Sequence, residues 1–180
     1  EYYKEADVLY LVQEYCRGGT LENRINEKRR EGLAKSEVSV ILRQMVRGVL
    51  YCHAHGLVHR DLKPNNFVFD STENETAALK VIDFGLSVGV PTEQTENKYV
   101  MAAGTLEHSA PETLPVRDTK SGEWIRIARY DTAADMWSIG VIFYLMLTGE
   151  QLINMDKLTS ETAEFGRMMR ALICEREVQI

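Results

Sequence analysis

Three short strings, His59-Arg60-Asp61-Leu62-Lys63-Pro64-Asn65-Asn66, Asp83-Phe84-Gly85 and Ala110-Pro111-Glu112, stand in this order in the chain and constrain its fold more than any other feature. Between the first two lie the apolar runs 67–69 and 79–82, separated by the polar stretch 70–76. Two short apolar runs parted by such a stretch read as a β-hairpin. A hairpin there turns the chain back on itself and sets Asp83 beside the first string, so that Asp61, Asn66 and Asp83 converge. Two carboxylates and an amide are hard oxygen donors, and Mg²⁺ takes only one or two carboxylates while phosphate oxygens and water complete its octahedron. The set fits a site that binds magnesium and positions a hydroxyl beside a phosphate.

The flanking sequence supplies a mostly helical frame. Residues 8–14 form a β-rich run that Gly18-Gly19 breaks, after which Thr20 is placed to cap a helix. Ser36 is the expected N-cap of a long amphipathic helix in which Val38, Ile41, Leu42, Met45, Val49 and Cys52 recur at helical spacing until Gly56. Residues 132–147 read as a helix apolar on nearly every side after Met136, hence one enclosed by others. A last amphipathic helix is expected at 162–174, with Phe165, Met168, Met169, Leu172 and Ile173 on its apolar side. From 87 to 106 the periodicity fails around Gly89 and Pro91, which predicts an exposed loop of a length usually tied to function.

Composition removes several function classes. The 180 residues suit one domain, which buries roughly 68–70% of its unfolded surface. A net charge of −6 weighs against nucleic-acid and membrane-surface partners, which attract basic patches. The basic run Lys28-Arg29-Arg30 is flanked by Glu27 and Glu31 and reads as a solvated helix end. Cys16, Cys52 and Cys174 match neither a zinc site nor a disulfide framework, so reduced thiols and an intracellular, cytoplasmic location are expected. No signal peptide is visible, and Asn74-Glu75-Thr76 reads as an accidental glycosylation pattern. The longest apolar stretch, 139–147, is far below the ~20 residues of a membrane span.

The three strings, with Tyr10-Leu11-Val12-Gln13-Glu14-Tyr15 before them and Asp135-Met136-Trp137-Ser138 after them, resemble the eukaryotic protein kinase family over nearly the whole chain. The resemblance implies a mainly α fold, the large C-terminal lobe of a kinase with a small β-hairpin next to the catalytic loop. Residues 1–19 would be the end of the small lobe and the hinge, and 20–180 the large lobe. A kinase domain truncated at both ends is expected, because no Gly-rich phosphate-covering loop and no Val-Ala-Ile-Lys-like strand precede residue 8. The implied activity is transfer of the ATP γ-phosphoryl group to Ser/Thr hydroxyls of a protein substrate. The fragment alone is expected to be inactive for want of the lysine that holds the α- and β-phosphates.

By that resemblance Asp61 accepts the proton of the substrate hydroxyl, Lys63 contacts the transferred phosphoryl group, and Asn66 and Asp83 ligate Mg²⁺ between the ATP phosphates. Arg60 organises the activation segment, and Thr105 bonds to Asp61 and Lys63. The backbone of Glu14 and Cys16 would bind adenine, with Gln13 at the gatekeeper position and Val68 and Leu21 around the ring. His59 would pack on Phe84, whereas His53 and His55 read as helix-end residues. Lys63 and Gly104-Thr105 look like the serine/threonine branch. The strings Leu9-Tyr10-Leu11-Val12, Arg17-Gly18-Gly19 and Val81-Ile82-Asp83-Phe84-Gly85-Leu86-Ser87 look most like the calcium-dependent and calmodulin-dependent group. No D-x-D-x-D-G pattern is visible, so calcium control would come from a regulatory domain outside this chain.

Departures from the pattern shape the expectations further. Thr20 and Asn65 stand where this group often has Glu, which weakens a preference for basic substrates. Met101 occupies the usual phosphorylation position and cannot accept phosphate, so either Thr92, Thr95 or Tyr99 become the candidates or activity needs no such step. His108 replaces a common Tyr, and 116–127 reads as a surface insertion suited to docking. The alternative to an enzyme is a catalytically inactive kinase-like scaffold or partner-binding module, against which the intact Asp61, Lys63, Asn66 and Asp83 stand.

Overall fold

The computed structural model describes residues 1–28, 31–73, 77–90, 104–113, 116–117, 124–125 and 131–153. The expectations for 162–174, Arg29, Arg30, Asn74-Glu75-Thr76, Thr92, Thr95, Tyr99, Met101 and Cys174 lie outside the described residues.

The chain opens with a hairpin. β1 (Tyr2–Glu5) pairs antiparallel with β2 (Val8–Leu11) from Tyr2↔Leu11 to Glu5↔Val8, across a turn in which Ala6 takes φ 50°. The strand expected over 8–14 thus ends at Leu11. Residues 13–16 carry no regular structure, and the chain is pinned again where Arg17 N–H donates to Asp70 O at 3.1 Å. Gly18 makes this approach possible, because a Cβ there would lie 2.1 Å from Ser71 O.

Thr20 then caps α1 (Leu21–Glu27). Its hydroxyl accepts from Asn23 N–H at 3.1 Å while Asn23 Oδ1 accepts from Thr20 N–H at 3.0 Å, a reciprocal capping box. α2 (Lys35–Ala54) starts one residue before the expected Ser36 cap. Its N-cap is Ala34, which makes no side-chain bond, and the entry is held instead by buried Leu33, whose N–H donates to Met146 O at 2.7 Å. A tertiary bond here does the work a polar cap does elsewhere.

α2 buries Val38, Ile41, Met45 and Val49, the stripe its spacing predicts. Against it lie β4 (Phe67–Phe69) and β5 (Leu79–Val81), the hairpin expected from the apolar runs, in register Phe67↔Val81 to Phe69↔Leu79. Gln44 locks the hairpin to α2, accepting from Leu79 N–H at 2.8 Å and donating to Ala77 O at 3.3 Å. Two-residue ladders join β3 (Leu57–Val58) to β6 (Val88–Gly89), and β7 (Val116–Arg117) to β8 (Trp124–Ile125) within the expected insertion.

α3 (Thr132–Thr148) is capped by Asp131, which accepts from Ala133 N–H at 2.7 Å, and ends at Gly149 in the left-handed region. Its Ile139, Ile142 and Met146 meet Ile41, Met45, Leu62, Phe67 and Phe69 in one core. Phe67 and Phe69 are almost wholly buried, each contributing about 1.5–3 kcal/mol as an upper estimate. That core underlies the polar loop between β3 and β4.

Candidate active site

The loop carrying Asp61 is built by backbone strain held in place from below. Arg60 adopts φ 72°, a conformation that non-glycine residues take only when the surroundings impose it. The imposing group is Asp135 in the first turn of α3, buried to 1% exposure. Its Oδ1 accepts from Arg60 N–H at 2.9 Å and its Oδ2 from His59 N–H at 2.8 Å. His53 Nε2 lies 2.8 Å from the same Oδ2. His53 is therefore no ordinary helix-end residue: it completes the hydrogen bonding of a buried carboxylate on an element 82 residues away.

His59 fixes the next step. Its Nε2 lies 3.0 Å from Ile82 O, a pure acceptor, so that nitrogen carries the proton. Nδ1 is then free to accept from Asp61 N–H at 3.3 Å. The ring also packs on Phe84, with centroids 5.1 Å apart. One imidazole thus ties the Asp61 loop to the strand leading into Asp83.

Around Asp61 three polar side chains converge. Lys63 Nζ donates to Asp61 Oδ2 at 2.7 Å and to Thr105 Oγ1 at 3.2 Å, and Thr105 Oγ1 donates to Asp61 Oδ1 at 2.9 Å. Asn66 Nδ2 donates to Asp61 O at 2.8 Å. Its amide nitrogen being so engaged, Oδ1 is left as the atom for a cation. The arrangement needs Gly104, whose φ is 101° and whose place would put a Cβ 2.5 Å from Arg60 O. No other residue lets Thr105 come this close to Asp61.

Asp83 is exposed, also at positive φ (63°), with Oδ1 accepting from Gly85 N–H at 3.3 Å. Ile82 N–H donates to Asn66 O at 2.9 Å, which brings the residue before Asp83 against Asn66. An amide oxygen and an exposed carboxylate on adjoining backbone are the hard donors that Mg²⁺ takes alongside phosphate. The residues present therefore fit the metal. Among the described residues there is no cluster of three His, Cys, Asp or Glu that would compete as a metal site.

Arg60 is buried and lines a cavity of ≈ 10 Å³ with Ser109, Ala110, Thr113, Ala134, Asp135 and Ser138. Ser138 Oγ donates to His108 O at 2.8 Å, joining this wall to α3. Burial lowers the His108 pKa to about 4, with Lys63 pushing the same way and Asp61 opposing. Its Nδ1 is buried without a partner, so the ring is neutral at physiological pH. Burial, then Asp135, pushes the Cys52 thiol up.

The other predicted residues lie apart from this cluster. Glu14 is exposed and ion-paired with Lys80, Cys16 and Val68 are half-buried, and Gln13 is exposed rather than packed. Leu21 lies wholly within the core. Sequence reasoning missed Asp135 and Gly104. Asp135 is the one charge in an otherwise uncharged helix, and a charge in a buried element must be paired, which was the available signal.

A buried carboxylate braced by a lysine and a threonine, next to an amide and an exposed carboxylate of metal-binding type, is an arrangement that phosphoryl transfer can use. The chain matches the family model of the protein kinase domain over residues 1–179 and belongs to that family. It is similar to calcium/calmodulin-dependent serine/threonine-protein kinase 1 of Oryza sativa subsp. japonica, at 40% identity over 83% of this chain and 22% of the relative. It is also similar to two proteins of Arabidopsis thaliana. CDPK-related kinase 4 is 42% identical over 83% of this chain and 22% of its own length, and CDPK-related kinase 1 is 39% identical over 83% and 23%. The chain spans about a fifth of the length of these relatives.

Proposed function

We propose that this chain supplies the catalytic apparatus of a serine/threonine protein kinase that transfers the γ-phosphoryl group of ATP to a protein hydroxyl. The observation that carries the reading is the Asp61–Lys63–Thr105 triangle, closed by contacts of 2.7, 2.9 and 3.2 Å. Similarity to kinases that are named as calcium/calmodulin-dependent or calcium-dependent supports membership of that group.

Asp61 takes the proton of the attacking hydroxyl as the new O–P bond forms and the bond from phosphorus to the ADP oxygen breaks. Thr105 and Lys63 hold its two carboxylate oxygens in a fixed orientation, so that the acceptor is aimed before substrate arrives. Lys63 also offers its charge to the transferring phosphoryl group, whose transition state is loose and spreads charge over the equatorial oxygens. Asn66 Oδ1 and the Asp83 carboxylate would hold Mg²⁺. When bound there, it would supply positive charge against the phosphates. Arg60 stiffens the segment behind Thr105 from within the α3 wall. Residues 1–19 serve as strands and hinge, and the backbone of 13–16, which makes no backbone hydrogen bond among the described residues, offers donors and acceptors to the adenine edge. Val68 lies on β4, which Thr20, four residues after this stretch, joins through the Thr20↔Val68 bridge. Leu21 and Cys16 support the same floor. The sequence from residue 20 onward reads as that of the large lobe.

Asp83→Asn in the full-length polypeptide tests the metal assignment. The variant keeps the fold and loses phosphotransfer, with partial recovery at raised Mg²⁺ or Mn²⁺. Near-normal turnover at ordinary Mg²⁺ would overturn the assignment of Asp83.

A further inference from the structure

Residues 13–16 are bounded by two backbone bonds, Val12 N–H to Glu1 O at 2.9 Å and Arg17 N–H to Asp70 O at 3.1 Å. Between them the described structure records no backbone hydrogen bond, and Gln13, Glu14 and Tyr15 are exposed. The polar tie recorded from this stretch to the rest of the fold is the ion pair between the Glu14 carboxylate and Lys80 Nζ, which joins residues 66 apart. Lys80 lies on β5 as the cross-strand partner of Val68, three residues before Asp83. One side chain therefore links this stretch to the hairpin that leads into Asp83.

We infer that Lys80 is a positioning residue for nucleotide binding, which by its ion pair with Glu14 holds the hinge backbone at a fixed distance from the β4–β5 hairpin. The inference rests on the reading of residues 13–16 as the adenine-binding edge. A four-residue stretch without backbone bonds samples many conformations, and ordering it on binding costs affinity that a tether removes in advance. The hydrogen bond to Glu14 is the largest influence on Lys80 and raises its pKa, so the ammonium is charged at every pH of interest. The pair is solvated, with side-chain exposures of 35% for Lys80 and 63% for Glu14, so its effect is small and salt-dependent. Its sign and its confinement to binding are what distinguish it from a merely structural contact.

The test is ATP affinity in the presence of Mg²⁺, measured by calorimetry on the full-length polypeptide, together with KM for ATP, kcat and the thermal midpoint. Lys80→Met raises Kd and KM about two- to five-fold while kcat at saturating ATP and the midpoint hold. Glu14→Gln weakens affinity to the same degree, and the double variant is no weaker than either single change. The charge reversal Glu14→Lys with Lys80→Glu restores affinity, and the Lys80→Met defect shrinks at about 0.5 M salt. Wild-type affinity in Lys80→Met would overturn the inference, as would additive losses in the double variant or a lowered midpoint with affinity unchanged. Wild-type protein that binds no ATP would instead overturn the reading of residues 13–16, and the inference with it.

Discussion

Replacing Asp135 by Asn separates the clamp beneath the catalytic loop from the chemistry above it. The substitution keeps the shape of a side chain that is 1% exposed and changes only what it can accept. Oδ2 receives His59 N–H and His53 Nε2, both at 2.8 Å, while Oδ1 receives Arg60 N–H at 2.9 Å. The best orientation of an amide keeps its oxygen at the Oδ2 position and turns its NH₂ against Arg60 N–H, donor facing donor. A buried backbone N–H is then orphaned, at about 1–3 kcal/mol, and the surviving bonds weaken because their acceptor is no longer charged. The expected loss of stability is about 2–4 kcal/mol, a large share of the ~5–15 kcal/mol that holds a domain together. Arg60 loses the bond that keeps it at φ 72°, so the loop relaxes and Asp61 shifts. Misplacement by about 1 Å costs on the order of 10² in rate. Urea titration and steady-state kinetics on the full-length polypeptide read both effects, and KM for ATP holds because the hinge is untouched. Lost stability with a wild-type kcat would refute the claim that Asp135 positions the base. Unchanged stability would refute the energetic argument.

Gly104→Ala forces a Cβ to within 2.5 Å of Arg60 O at a backbone angle that only glycine adopts readily, so kcat falls at least about ten-fold with about 1–3 kcal/mol of lost stability; a variant with wild-type kinetics would show that Thr105 need not reach Asp61. His108 titrates at about 4 in the folded protein against 6.5 when unfolded, so between those values the unfolded state binds more protons and stability falls as pH falls. Urea stability should drop by about 2 kcal/mol more in wild type than in His108→Phe on going from pH 7.5 to pH 5; equal slopes would contradict the buried, neutral assignment.

Local periodicity made the α2 stripe and the β4–β5 hairpin legible, because each is specified by residues a few positions apart. The same holds for the cap at Thr20 and for the extent of α3, expected over 132–147 and found at Thr132–Thr148. β3 and β6 were not legible: two residues carry no period, and their pairing joins Leu57 to Gly89. The Ser36 cap failed because Leu33, anchored on Met146, fixes the start of α2 from another helix. The site residues Asp61, Lys63, Asn66, Asp83 and Thr105 were named from family resemblance, and the polar contacts around Asp61 now bind four of them together. What sequence could not supply were partners far along the chain: His53 with Asp135, Glu14 with Lys80, and Gly104 against Arg60. These are tertiary contacts whose members no local pattern pairs until the fold brings them together.

The central claim is that Asp61 is the base of a phosphoryl transfer. The measurement that tests it most directly is Mg²⁺-dependent transfer of phosphate from ATP to a Ser/Thr peptide mixture by the full-length polypeptide, with Asp61→Ala beside wild type and ATP binding measured on both. The account predicts transfer by wild type and its loss in Asp61→Ala while ATP binding persists. Equal transfer by the two proteins, or none from a folded wild type that binds ATP, would contradict it.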